Sequence, residues 1–190
     1  MKKTIKSSVV ILIVLGLLVM WSVTYYNKFV SQEENVTNKW AQVETQYQRR
    51  FDLVPNLVES VKGSANFQQE TLTEVTAARS AWAQAQENGN INQQVAAANS
   101  FDSALSRLLV TVEAYPELNT AAFQDLMVGI EGTENRVSVA RKDYNDAVQV
   151  YNLAVRRIPG KLFAGIYGFA EKTPFESVEG SEVAPQVNFS

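Results

Sequence analysis

Cysteine and histidine are both absent from this chain of 190 residues. Without cysteine there is no disulfide, no thiolate nucleophile and no thiol for lipid attachment. Without histidine, the usual general base and the commonest transition-metal ligand are missing. His-containing triads and zinc sites of the His/Cys type are therefore excluded. Carboxylate-only Ca²⁺ or Mg²⁺ sites stay possible in principle, but no Asp/Asn-rich loop resembles one. No metal, cofactor or enzymatic activity is expected. Positive charge is also short. Setting aside Lys2, Lys3 and Lys6 leaves 14 of the 17 basic residues against 20 acidic ones. That surface has no electrostatic footprint for nucleic acid and does not favour anionic lipid either.

What is present begins with an apolar run, Val9 to Val23, behind those three lysines. The uncharged stretch from Ser7 to Asn27 has 21 residues. A hydrocarbon core of roughly 30 Å needs about 20 helical residues, so one span fits. A cleaved secretory signal would want small residues after the run. Met20, Trp21, Val23, Tyr25 and Tyr26 stand there instead, which favours an uncleaved signal anchor. Trp21, Tyr25 and Tyr26 suit the membrane interface, and the lysines favour a cytoplasmic N-terminus. The remaining 163 residues then form one domain on the other side of the membrane.

Four helical stretches can be read by period. The first continues from the anchor through Tyr26, Phe29, Val36, Trp40, Val43 and Tyr47, with Glu33 as a polar gap. It is expected to end near Arg49-Arg50, where two cations suit a helix C-terminus. The second is expected from Asp52–Asn56 onward, with Pro55 in its first turn and Asn56 and Glu59 as a capping box. Val54, Val58, Val61, Ala65, Leu72, Val75 and Trp82 mark its seam, Gly63 weakens it, and Glu87-Asn88-Gly89-Asn90 ends it. The third runs from about Ile91 to Glu113 on Ala98, Phe101, Leu105, Leu108, Val112 and Tyr115, and Pro116 stops it. The fourth spans about Asn119 to Ile158. Phe123, Ile130, Val137, Tyr144, Tyr151 and Ile158 recur every seven residues, with Leu126, Ala140, Ala147 and Ala154 between them and Thr133 interrupting. That is coiled-coil-like spacing. Gly129 and Gly132 should weaken its first third.

Little regular helix is expected after Pro159. The tail is nevertheless too apolar to be dismissed as disordered. It either packs along its own subunit, reaches a neighbouring one or touches the membrane. The resulting division is a cytoplasmic N-terminus at 1–6, a transmembrane signal anchor at 7–27, a helical bundle at 28–159 and an irregular tail at 160–190.

Three patterns invite a functional reading. Tyr26-Asn27-x-x-Val30, Tyr144-Asn145-x-x-Val148 and Tyr151-Asn152-x-x-Val155 share a motif, the last two one heptad apart. Tyrosine and asparagine in a seam can fix register by hydrogen bonds or contact a ligand. Arg49, Arg50, Asp52, Asn56 and Glu59 form a charged cluster at the expected first corner. Glu134, Arg136 and Arg141 form another on the fourth helix. Arginine pairs well with carboxylates, so these clusters are either ion pairs and caps or a recognition patch. Glu113 and Tyr115 at the third corner admit the same two readings. Carboxylates at such spacing are common on solvated helix faces and do not argue for catalysis.

The series Trp40, Arg49-Arg50-Phe51-Asp52-Leu53-Val54-Pro55-Asn56-Leu57-Val58-Glu59-x-Val61-Lys62-Gly63, Ala77-Ala78-Arg79, Glu113-Ala114-Tyr115-Pro116-Glu117-Leu118, Glu131-x-x-Glu134-Asn135-Arg136 and Ala140-Arg141-x-x-Tyr144-Asn145-x-x-Val148-x-x-Tyr151-Asn152 resembles the LemA family of bacterial membrane-anchored proteins. The match runs in family order over residues 26 to about 175. It departs at Ile130 and Gly132, and only loosely fits after Phe175. The resemblance implies a short membrane segment and an antiparallel helical bundle. It supplies no enzymatic activity. Some relatives are linked to membrane remodelling in magnetosome formation, and others appear beside membrane metallopeptidases.

The sequence therefore leads to an all-α protein, an N-terminal transmembrane helix continuing into an antiparallel four-helix bundle. It is expected in the bacterial inner membrane, with the bundle in the periplasm or outside the cell. The expected role is a non-enzymatic scaffold that self-associates as a homo-oligomer. The alternative is an accessory or sensor subunit of a membrane protease or envelope-stress system, with a membrane-protein partner. A carboxylate-only hydrolase is the third class.

Overall fold

The computed structural model describes residues 2–62, 69–113, 115 and 120–175. Gly63, Ala65, Pro116, Asn119, the Glu113 side chain and everything after Phe175 lie outside the described residues. The described residues are all-helical, with no strand. The elements are α1 (Lys2–Lys62), α2 (Gln69–Glu87), α3 (Ile91–Glu113), α4 (Ala121–Arg156) and α5 (Gly160–Tyr167).

α1 is a single helix of 61 residues, roughly 90 Å long at ~1.5 Å per residue. It does not end at Arg49-Arg50, and the second helix does not begin at 52–56. Pro55 sits inside it, and Asn56 is an exposed mid-helix residue, not a cap. The reason is tertiary. An interior proline costs about 3 kcal/mol. Phe51, Val54, Leu57 and Val61 flank Pro55 and are all buried. Each such side chain contributes about 1.5–3 kcal/mol on burial, so together they outweigh the proline. Arg50, which looked like a terminal cation, is 1% exposed.

Beyond the membrane segment, α1 packs mainly on α4, and α2 on α3. Lys39 pairs with Asp143, Arg50 with Thr133, and Leu53 lies beside Gly129. Residue numbers on α4 therefore fall as those on α1 rise. α3 behaves oppositely: Trp40 Nε1 donates to Gln94 Oε1 and Tyr47 Oη to Asp102 Oδ2. Gly129 is not merely a weak point, because a Cβ there would lie 3.3 Å from a Leu53 methyl. The glycine lets the two helices approach.

The seams are largely where the period put them, although Tyr26 on α1 is 43% exposed. Phe29, Val36, Trp40, Val43 and Tyr47 are buried on α1, and Phe123, Ile130, Val137, Tyr144 and Tyr151 on α4. Ile158, next in the heptad, is 83% exposed, because α4 ends at Arg156. The turn at 87–90 forms as its residues require. Gly89 has φ +64°, which only glycine adopts cheaply, and Asn90 Oδ1 caps α3 by accepting from Asn92 N and Gln93 N.

Residues 160–167 are helical, contrary to the irregular tail expected. α5 closes on Gly168 in the left-handed conformation, φ 78°. Its Phe163 packs on Trp21 and Tyr25, and its Ala164 is buried. The side chains from Val9 to Trp21 are covered by little protein: Leu12 is 67% and Met20 68% exposed. One helix among the described residues is long and apolar enough to cross a membrane, and this is it.

Candidate functional site: an ionic node and a tail clamp

Two polar constellations interrupt the apolar core. The first centres on Asp102, on α3. Its Oδ1 accepts from Arg50 Nη1 at 2.8 Å. Its Oδ2 accepts from Tyr47 Oη at 2.6 Å and from Arg141 Nη1 at 2.6 Å. Arg50 also donates to Thr133 Oγ1 at 3.3 Å and to Glu134 Oε2. Arg141 donates to Asn99 Oδ1 at 2.8 Å. Thr133 donates onward to the Ile130 carbonyl, so the interruption in the heptad is a hydrogen-bonding post. One carboxylate thus links α1, α3 and α4. Burial pushes the Asp102 carboxyl up from its ordinary range, while the Tyr47 hydrogen bond and the two guanidiniums pull against that shift. Burial, with the Asp102 charge beside it, also pushes the Tyr47 phenol up.

The second constellation is built by the Tyr-Asn repeat. Asn152 Oδ1 accepts from Lys172 N at 2.9 Å, and its Nδ2 donates to the Lys172 carbonyl at 2.8 Å. One heptad earlier, Asn145 does the same to Phe175, at 2.8 and 3.0 Å. Tyr144 Oη donates to the Thr173 carbonyl at 2.9 Å. Seven residues of helix rise about 10.5 Å, and three residues of extended chain cover about 10 Å. The spacings match, so each asparagine amide meets one main-chain unit like the edge of a strand. Side chains add to the grip. Phe175 stacks on Trp40 at 5.8 Å and lies under the Arg141 guanidinium at 4.3 Å. Lys172 pairs with Glu33 at 2.6 Å, which accounts for the polar gap in the α1 seam. The tail to Phe175 is therefore held on its own subunit.

Releasing the clamp has a direct readout. In Asn145→Ala with Asn152→Ala, the Lys172 and Phe175 main chains lose four hydrogen bonds, each worth about 1 kcal/mol net. Trypsin should then cut after Lys172 much faster than in the parent, while helix content stays unchanged. An unaltered cleavage rate would show that Phe175, the Tyr144 hydrogen bond and the Lys172–Glu33 pair hold the tail without the two amides.

The buried phenols set a second expectation. Burial pushes Tyr144 and Tyr151 up to about 12. A phenol whose folded value is raised gives up its proton first in the unfolded chain. Stability from these groups is complete below pH ~10 and is lost as pH rises from there toward 12. Phenolate absorbance of the buried tyrosines should therefore appear together with loss of helical circular dichroism. Ionisation of all seven tyrosines near pH ~10 with the helix intact would contradict this.

The remaining singled-out residues do not converge. Arg49, Asp52, Asn56, Glu59 and Arg136 are exposed, and Asp52 accepts from Gln48 on the same helix. The first charged cluster is thus no corner. Tyr115 is partly buried against the core. Arg50, Glu134 and Arg141 do meet, as do Tyr144 and Asn145 at the tail. Asp102, Asn99 and Phe175 were missed. Asp102 follows the seam residue Phe101 directly and precedes the next acid on α3 by a wide gap, a signal that was available.

Neither constellation is arranged for catalysis. Three donors already occupy the two Asp102 oxygens. In a cleft of ≈ 490 Å³ between α1 and α4, the Thr45 hydroxyl donates to the Ala41 carbonyl and the Asp143 carboxylate accepts from Lys39. Among the described residues no group of three carboxylates gathers to hold a metal ion.

The model of the LemA family matches residues 39–189. Magnetosome protein MamQ 2 and Magnetosome protein MamQ 1 of Paramagnetospirillum magneticum are each 25% identical over 189 residues, covering 85% of this chain and 70% of theirs. Magnetosome protein MamQ of Magnetospirillum gryphiswaldense is 24% identical with the same coverage. With the apolar helix, these relatives indicate membrane association. The match covers most of the body that α1 to α4 build, and the chain belongs to the LemA family.

Proposed function

We propose that this chain is a non-enzymatic, single-pass scaffold of the bacterial envelope. Its N-terminus lies in the cytoplasm, and its body is an antiparallel four-helix bundle that self-associates in the membrane. One observation carries the reading: α1 runs without a break from Lys2 to Lys62. A helix that is both span and core element couples membrane and domain rigidly, so contacts between domains would set the spacing of anchors. A tether for an independent enzyme has no need of that coupling. The magnetosome relatives carry names that specify no reaction, which favours the same reading.

An exposed apolar face on α4 supports self-contact. Val128, Val139 and Val150 are 68%, 56% and 52% exposed. A spacing of 11 residues is close to three helical turns, so they share one face. The test is oligomeric state in lipid nanodiscs or mild detergent by light scattering. A dimer or larger species is expected, shifted toward monomer by Val139→Glu with Val150→Glu. A parent chain that stays monomeric at high concentration would sink self-association.

A further inference from the structure

We propose that α5 is a second membrane contact, a short helix seated in the bilayer interface on the domain side and holding phospholipid between itself and the span. The inference rests on reading residues 7–27 as a transmembrane segment.

Position comes first. Phe163 packs on Trp21 at 5.6 Å and stacks on Tyr25 at 5.0 Å. Tyr167 packs on Tyr26 at 5.1 Å, and its hydroxyl shares a hydrogen bond with Ser22. These four α1 residues lie in the last two turns of the uncharged stretch. A helix fixed to them sits at the depth of the span's end, where aromatic rings gather.

Next is what α5 leaves uncovered. Leu162 and Ile166 stand four residues apart on α5 and so share a face, and Ile158 lies in the turn just before the helix. Leu162, Ile166 and Ile158 are 66%, 73% and 83% exposed. Large apolar side chains on adjoining turns, continuous with the bare span, would form an unfavourable patch in water. At this depth they meet acyl chains instead, as interfacial helices do roughly 5–10 Å into the boundary.

A cleft between α5 and the span, and another between α1 and the end of α4 that reaches Gly160, suit the two ends of a lipid. One, of ≈ 450 Å³, is lined by Leu15, Leu18, Val19, Val23 and Phe163, and is almost wholly apolar. The other, of ≈ 400 Å³, brings Lys28 and Arg157 together beside Tyr25 and Ile158. Lys161 is exposed one turn after Arg157. Among the described residues none of these three cations pairs with a carboxylate. The chain is acidic overall, but these three cations lie where phosphate headgroups would. An acyl chain in the first cleft and an anionic headgroup at the second is the occupant this geometry fits.

The absence of cysteine makes the test direct. Single variants Ile13→Cys, Ser138→Cys and Ile166→Cys of the full chain are labelled with an environment-sensitive fluorophore. Each is reconstituted in phosphatidylcholine–phosphatidylglycerol vesicles containing lipids with quenchers at shallow or deep acyl positions. The expected result is strong deep quenching at Ile13, several-fold stronger shallow quenching at Ile166 than at Ser138, and weaker shallow quenching at Ile166 when Lys28, Arg157 and Lys161 are changed to Gln. Ile166 matching Ser138 while Ile13 is quenched would overturn the proposal and leave the span standing. An unquenched Ile13 would overturn the span and the proposal together.

Discussion

Replacing Asp102 with alanine should lower the unfolding free energy by about 3–5 kcal/mol, the cost of breaking a buried charge network by removing one partner. Proteins of this kind have only ~5–15 kcal/mol in total, so the effect is large. Alanine leaves the guanidiniums of Arg50 and Arg141 without the carboxylate between them, and leaves the Tyr47 hydroxyl without its acceptor. Arg50 retains Thr133 and Glu134, but the Glu134 side chain is 67% exposed and screened by water. Arg141 retains Asn99. Arg141, 15% exposed, would then face no carboxylate, and Arg50, 1% exposed, only the solvated one of Glu134. The measurement is chemical denaturation of the full chain in mild detergent, followed by circular dichroism. Removing all three charges, as Asp102→Leu with Arg50→Met and Arg141→Met, should recover much of the loss, because apolar replacement of a whole buried network is often neutral. A single-variant loss below ~1 kcal/mol would place the node with exposed ion pairs. The triple variant would then ask what the node does for specificity. It joins three helices at one height, and slippage of α4 by a turn would break it.

That node shows where reading a sequence stops. The period of Phe29, Val36, Trp40, Val43 and Tyr47 reports one helix facing one apolar layer, and it was legible because burial repeats along a single element. Gly89 and Asn90 were legible because turn and cap chemistry is local. Asp102 answers residues 52 and 39 positions away, and no local pattern records such a partner. Pro55 misled for a related reason. Its helix-breaking cost is local, while the burial that overrides it comes from other helices. The Tyr-Asn repeat lay between these cases. Its period was visible, and so was its capacity for hydrogen bonds, but not that the extended chain from Lys172 to Phe175 would meet it. Ile158 followed the heptad and still faces outward, because α4 ends at Arg156 and the chain turns into α5.

The turn into α5 fixes the last expectation. Changing Gly160 to alanine should unseat α5 although alanine is the better helix former. A Cβ at Gly160 would run into the Ala154 carbonyl oxygen and lie 3.6 Å from the Phe29 ring. The oxygen belongs to the α4 backbone, which cannot rotate away as a side chain could, so α5 itself must move. Overpacking of this kind costs typically ~1–3 kcal/mol and occasionally more. If opening is fast relative to cleavage, proteolysis follows the open population. A cost near ~3 kcal/mol then means cleavage after Lys161 faster by on the order of 100-fold. Gly165→Ala is the matched control, since a Cβ there meets nothing within 4 Å and should favour the helix by up to ~1 kcal/mol. Equal cleavage in both variants would mean that α5 is not held by this close approach. Faster cleavage in Gly160→Ala alone would show that one glycine seats the whole aromatic contact of Phe163 and Tyr167 against the end of the span. It would also separate the docking of α5 from the stability of the core, because the Asp102 node lies far along α1 and should not respond.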